Sequence, residues 1–243
     1  RPNPIDGNHL EGNIREEKYS SFVGMFPLPN RHGMTAGELA RYFNATFELN
    51  CDLTIIPMRG WHRWMWWGDT ELPWVIPSPN MPTVYTATVY PGMCLVEGTN
   101  LSEGRGTTHP FEFFGAPWLD SFKLADRLNK LGLPGVRFRP HYFMPTFHKH
   151  ANKVCGGVEM HVTNRATFEP YRTGLWCVKV ARDELSASHD AKKATTRHVI
   201  SPAGTRCVSV VSSVVRSSDV VSSAAGSGSS LPWPISTMAS AIA

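Results

Sequence analysis

The sequence has no uncharged apolar run of roughly eighteen residues, so no membrane-spanning helix is expected within its 243 residues. It also has no block of basic charge. Its 24 Lys and Arg against 20 Asp and Glu give a formal charge of +4, scattered along the chain, and nothing in that distribution calls for a nucleic acid partner. The five cysteines, Cys51, Cys94, Cys155, Cys177 and Cys207, are odd in number and never spaced as CxxC. This argues against a disulfide framework or a zinc ribbon and leaves them as small core residues. Neither a Gly-Lys-Ser/Thr phosphate loop nor a GxGxxG fingerprint is present, and no cofactor is expected. The first residue is Arg1, so these residues say nothing about an export signal.

What is present is a composition 42% hydrophobic and rich enough in Trp, Phe and Leu to build a sizeable core. Thr35 and Glu38 form a Thr-x-x-Glu capping box ahead of Leu39, Tyr42, Phe43 and Phe47 on one face, which predicts a helix over 35–47. The apolar run CDLTIIPM at 51–58 is expected to be a buried strand. Between Gly68 and Gly92 five prolines predict surface loops with at most short strands, and MCLVEGT from Met93 again reads as a strand. Asp120 is placed to cap a second helix over 119–131, stopped by Gly132 and Pro134. VRFRPHYFMPTF and GGVEMHVT alternate as half-buried strands, and a third helix is expected over 168–184. Strands alternating with helices predict an α/β fold with a mixed sheet. Beyond 185 a Ser/Val/Ala-rich text reads as a low-complexity tail over 186–243, or as the product of a reading-frame shift near Glu184.

The chemistry concentrates in EGTNLSEGRGT. Glu97, Asn100, Glu103 and Arg105 stand on a loop with Gly98, Gly104 and Gly106, where small residues let a ligand approach the backbone. Glycoside hydrolysis needs two carboxyls flanking the scissile bond, and Glu97 and Glu103 are the local supply. The alternative is a turn whose glutamates pair with Arg105. Asn80 and Asn100 can each give and accept hydrogen bonds with sugar hydroxyls, or serve as turn residues. His148 and His150, with Cys155 nearby, form a metal-like H-x-H pair that a strand would turn to one face, although no third ligand is evident. His161, among apolar neighbours, is expected to be a partly buried structural histidine. WHRWMWW at 61–67 is either a loop anchor over a core or an aromatic platform for sugar rings.

Seven stretches carry a family resemblance: RPNPIDG, SSFVGMFPLPNRHGMTAGELARYFN, DLTIIPM with Trp61, LPWVIPSPNMPT, VYPGMCLVEGTNLSEGRGTTHPFEFFGAPW, LGLPGVRFRPHYFMPTFHKH and CGGVEMHVT. Over roughly residues 1–182 the chain resembles the NamZ family of bacterial exo-β-N-acetylmuramidases. The resemblance implies a peptidoglycan-recycling hydrolase that removes N-acetylmuramic acid from non-reducing ends. It also implies a two-subdomain α/β fold with a Rossmann-like part, and export or lipid anchoring. Residues 1–185 would be the substrate-facing portion of the catalytic unit, with the half carrying the family's Glu-His-Gly motif absent, so the chain alone is expected to be inactive. In this light Arg31 or Arg105 is expected to clamp the lactyl carboxylate, with His32 beside Arg31 in RHGMT. Glu97 and Glu103 remain the catalytic candidates, Glu38 is a capping residue, and Trp61 and Trp66 become the sugar-facing tryptophans. Two other classes stay open: a non-catalytic glycan-binding module, and a metal-dependent hydrolase centred on His148 and His150.

Overall fold

The computed structural model describes residues 3–22 and 24–187, with side chains described to 184; the expected tail lies outside the described residues. The chain divides into two compact units. Among the described residues, the first comprises those up to Leu10 together with His32–Trp74, and the second comprises Glu11–Arg31 and those from Val75 to 187.

In the first unit the capping box forms as its spacing predicts. Thr35 Oγ1 accepts from the Glu38 amide at 3.2 Å while Glu38 Oε2 accepts from the Thr35 amide at 2.7 Å, starting helix α1, Ala36–Thr46. Around it Ile5, Met34, Trp66 and Trp67 are buried. Trp67 is fixed from both ends: its amide donates to the Pro4 carbonyl at 2.9 Å and its indole Nε1 to the Leu72 carbonyl at 2.9 Å. Gly7 and Gly33 meet so closely that a Cβ on Gly7 would lie 2.6 Å from the Gly33 oxygen.

The strand expected at 51–58 does not form. Leu53 and Ile56 are exposed, Ile56 at 88%. A strand exists only against a neighbour that takes up its backbone groups. Among the described residues the run finds instead the Asn44 carboxamide, which accepts from the Cys51 amide at 2.9 Å and donates to its carbonyl at 3.0 Å. Helix α1 likewise keeps its apolar side only half-covered, with no buried residue.

The second unit holds the principal core. Helix α2, Val84–Met93, occupies what the prolines suggested was surface loop, and the residues read as a strand from Met93 are its last residue and a 3₁₀ helix over Cys94–Gly98. Thr83 Oγ1 caps α2 by accepting from the Thr86 amide at 3.0 Å. The helix is apolar all round and buried, so it shows no amphipathic period, and its β-branched residues lower the helical signal further. Burial decides its conformation where local propensity does not.

Then follow β1, Phe113–Ala116; α3, Ser121–Lys130; β2, Val136–Phe143; β3, Cys155–Val162; and α4, Pro170–Ala187. The three strands form an antiparallel sheet in the order β1-β3-β2, with Gly115 opposite Gly157 and Phe138 opposite Met160. Asp120 caps α3 as predicted, its carboxylate accepting from the amides of Phe122 and Lys123 at 3.0 and 3.1 Å. Alternation along β2 and β3 turns Val136, Phe138, Val158 and Met160 into the core with Leu124, Leu128 and Val178. Helix α3 packs on this sheet, and α2 packs on α4. At the latter crossing a Cβ on Gly92 would lie 1.8 Å from the Pro170 oxygen and one on Gly174 2.3 Å from the Gly92 oxygen, so the two helices touch backbone to backbone. His161 stands on the other sheet face, exposed, with Nε2 3.4 Å from Glu159, and is not the half-buried residue expected.

Candidate functional site

The loop from Glu97 to Glu112 rises between α2 and β1 and is pinned at both ends. Ser102 and Gly115 exchange backbone hydrogen bonds at 2.8 and 3.0 Å, and the Phe111 amide donates to the Glu103 carbonyl at 2.6 Å. Gly104 and Gly106 have φ of 78° and 82°, a region glycine enters without steric cost. Gly106 also lies against the segment after β2, whose Thr146 donates its amide and hydroxyl to the Gly106 carbonyl at 3.0 and 2.9 Å.

That second segment delivers the residue that organises the loop. Lys149 Nζ donates to Glu103 Oε2 at 2.9 Å and to the carbonyls of Val96, Glu97 and Leu101 at 3.1, 3.1 and 3.0 Å. Glu103 is wholly buried. Its Oε1 has Arg105 Nε and His148 Nδ1 each at 3.2 Å, within ion-pair range but out of line for a hydrogen bond. Arg105 continues to Glu97, Nη2 to Oε1 at 2.5 Å, and lies over the Phe111 ring, 5.1 Å from its centroid.

The predicted Glu97, Glu103 and Arg105 are therefore brought together, but as one ion-pair network. Glu103 has no exposed side-chain surface within it. Glu97 remains about one-third exposed. Asn100 lies on the same loop with its Oδ1 buried and without a partner among the described residues, and its carbonyl meets His150 Nε2 at 2.7 Å. Since a carbonyl only accepts, Nε2 carries the proton, and the His150 ring stands edge-on to Trp118 at 5.1 Å.

His148 and His150 do not share a strand face. Both lie in the loop after β2 with φ of 69° and 59°, and they turn to different partners, Glu103 and Asn100. This removes the geometric basis of the metal-like reading. Asn80 sits in a turn, half-buried. Arg31 is 5% exposed and paired with Glu11 at 2.7 Å, so a substrate carboxylate would have to displace Glu11. Burial raises the pKa of Glu11 above the usual carboxylate value despite the neighbouring Arg31, and its other oxygen accepts from the Tyr171 amide at 2.9 Å.

The remaining predicted residues belong to the first unit. His32 accepts from the Met34 amide through Nδ1 at 3.1 Å, and burial lowers its pKa. Trp66, expected to face sugar, is buried. Trp64, assigned to packing by the sequence reading, is 57% exposed and stacked on His62 at 5.9 Å with the rings 5° apart. Trp61 is half-buried, with the Arg63 guanidinium 5.6 Å from its ring.

Three polar residues escaped the sequence reading. Lys149 was overshadowed by the histidines that flank it, and its partners lie 46–53 positions away. Glu112 and His109 form a pair at His-x-x-Glu spacing, which a search for close His and Glu would have found. Glu112 is buried; its Oε2 meets His109 Nδ1 at 2.9 Å, and its Oε1 accepts from the Thr86 hydroxyl at 2.6 Å and the Thr83 hydroxyl at 3.5 Å.

A mixed α/β unit with an antiparallel sheet and a glycine-bearing ion-pair loop is the class that this fold and site define, and solved structures share the fold. A DUF1343 family protein from Bacteroides fragilis superposes with a TM-score of 0.78 at 32% identity, over 89% of this chain and 56% of that one. A second DUF1343 protein from the same bacterium gives 0.61 at 27% identity, over 90% and 58%.

The chain belongs to the exo-beta-N-acetylmuramidase NamZ family: the C-terminal family model matches residues 88–210 and the N-terminal model residues 1–85. It is 55% identical over 183 residues to the peptidoglycan beta-N-acetylmuramidase NamZ of Bacillus subtilis (strain 168), a match covering 75% of this chain and 44% of that protein. The chain thus spans less than half the length of that relative.

Proposed function

We propose that the protein to which this chain belongs is an exo-acting glycoside hydrolase of peptidoglycan, releasing N-acetylmuramic acid from non-reducing ends in cell-wall recycling outside the cytoplasm. The observation that carries this reading is the 55% identity over 183 residues to a peptidoglycan beta-N-acetylmuramidase. The second unit supplies the substrate-holding loop, and a Rossmann-like subdomain supplies the rest of the cleft. Arg105 is the clamp for the lactyl carboxylate. Its Nη2 and Nε are held by Glu97 and Glu103, its side chain is about a quarter exposed, and its Nη1 has no partner among the described residues. Since Glu103 is sealed and Glu97 is tied to Arg105, hydrolysis by this chain alone is not expected.

The test is turnover of a chromogenic β-N-acetylmuramic acid glycoside by the full-length protein and by the 243-residue chain. Activity in the former and none in the latter is expected; full turnover by the chain alone would overturn its expected inactivity, and none in either would sink the reading. In the full-length enzyme Arg105→Lys should raise KM by roughly 10-fold or more, as loss of a charge-assisted hydrogen bond does. The matching glycoside without the lactyl group should not feel the change. The sealed position of Glu103 also favours a second reading, in which this chain retains glycan without cleaving it.

A further inference from the structure

The imidazole of His109 is the one group of the loop that is both half-exposed and rigidly oriented by a buried partner. Its ring is 50% exposed, while the Glu112 carboxylate that holds Nδ1 is 7% exposed and accepts through its other oxygen from Thr86 and Thr83. With the carboxylate as acceptor Nδ1 is the donor, and in that neutral tautomer Nε2 is left as a lone-pair acceptor. Among the described residues Nε2 has no hydrogen-bond partner. The ring also packs on Phe113, centroids 5.2 Å apart, and Phe113 in turn packs on His141 of β2 at 4.2 Å. The half-exposed imidazole thus borders an aromatic cluster. A neutral acceptor beside an aromatic surface suits a hydroxyl-rich ring better than an anion, which an imidazole lone pair would repel.

We propose that His109 binds a carbohydrate hydroxyl through Nε2 and that Glu112, held by Thr83 and Thr86, is its positioning residue. This rests on the glycan-hydrolase reading above and adds a contact to it. The tautomer gives a signature that a merely structural role would not: free neutral histidine favours the proton on Nε2, whereas His109 is expected with the proton on Nδ1.

The experiment is two-bond ¹H–¹⁵N NMR of the histidine rings in the 243-residue chain, with His109 assigned from the signal missing in His109→Gln, followed by titration with N-acetylmuramic acid. The expected result is an Nδ1–H ring whose signals move on titration, with affinity about fivefold weaker in His109→Gln, the worth of one hydrogen bond. Glu112→Gln should present an amide donor to Nδ1 and turn the ring to the Nε2–H form, with a comparable loss of affinity. An Nε2–H ring in the unaltered chain overturns the inference whether or not the variants fold. Signals moving near Arg105 but not at His109 overturn it while leaving the glycan-hydrolase reading intact; no signal moving anywhere also overturns it, the hydrolase reading being decided by turnover of the full-length protein.

Discussion

Glu38 in the first unit and Glu103 in the second are both paired with an arginine, yet they do opposite work. Glu38 closes a local capping box three residues from its partner Thr35, pairs with Arg63, and keeps 18% of its side chain in contact with solvent. Glu103 is fully buried and draws its partners from the loop itself and from the segment after β2, with Lys149 lying 46 positions away. The first is a helix start that sequence spacing alone specifies. The second is a knot that ties two distant loops, and its carboxylate is spent on structure. A glutamate in a glycine-rich loop is therefore an unreliable pointer to a catalytic acid until its solvent access is known.

The sharpest way to break this contrast is to remove one side of the knot. Glu103→Ala leaves the half-buried Lys149 ammonium against carbonyls without its counter-charge, and losing one partner of a buried pair costs up to about 3–5 kcal/mol. Lys149→Met takes the hydrogen bond from the buried Glu103 Oε2 and leaves Arg105 and His148 beside Oε1. Urea midpoints at neutral pH are expected to fall by a similar amount in each single variant and by less than their sum in the double variant, because the two share one interaction. Additive losses would mean that the two residues do not act as a unit.

A smaller effect is expected at the cap. Thr35→Ala removes the oxygen that accepts from the Glu38 amide, and such losses cost about 1 kcal/mol. The comparison thus predicts at least a twofold difference in destabilisation between Glu103→Ala and Thr35→Ala in the same urea series. Equal losses would deny that burial separates the two carboxylates.

The same distinction explains what could be read from sequence. Thr35, Glu38 and Asp120 were legible because a cap is written within four residues. Strands β2 and β3 were legible because one face is buried and the other exposed, so Val136 and Phe138 alternate with Arg137 and Arg139. Helix α2 was hidden because burial on all sides erases periodicity. Residues 51–58 show the converse failure, since an apolar run reports the capacity to pair but not the presence of a partner. At the site, Arg105 and Glu97 were legible as neighbours, whereas Lys149 was not, because carbonyl groups leave no trace in side-chain identity. The burial of Trp66 was hidden for a related reason: it bridges to Ile5, far earlier in the chain.

The smallest expected effect concerns pH and belongs to Glu38 alone. Burial by itself would raise its pKa, but the hydrogen bond and charge of Arg63, with the amide and hydroxyl of Thr35, outweigh it and hold the folded value below the ordinary 4.5. A carboxyl whose pKa is lower folded than unfolded binds fewer protons in the folded state, so its contribution is complete above about 4.5 and is lost as pH falls through the folded value. Glu38→Gln keeps an oxygen for the Thr35 amide but cannot titrate. Relative to the unaltered chain it should be less stable at pH 7 by less than about 1 kcal/mol, as partly exposed ion pairs are, and the gap should close near pH 3. Urea midpoints of both proteins across that range decide the matter. A gap that stays constant with pH would show that Glu38 acts through its shape and hydrogen bond, leaving charge as the property that sets Glu103 apart from it.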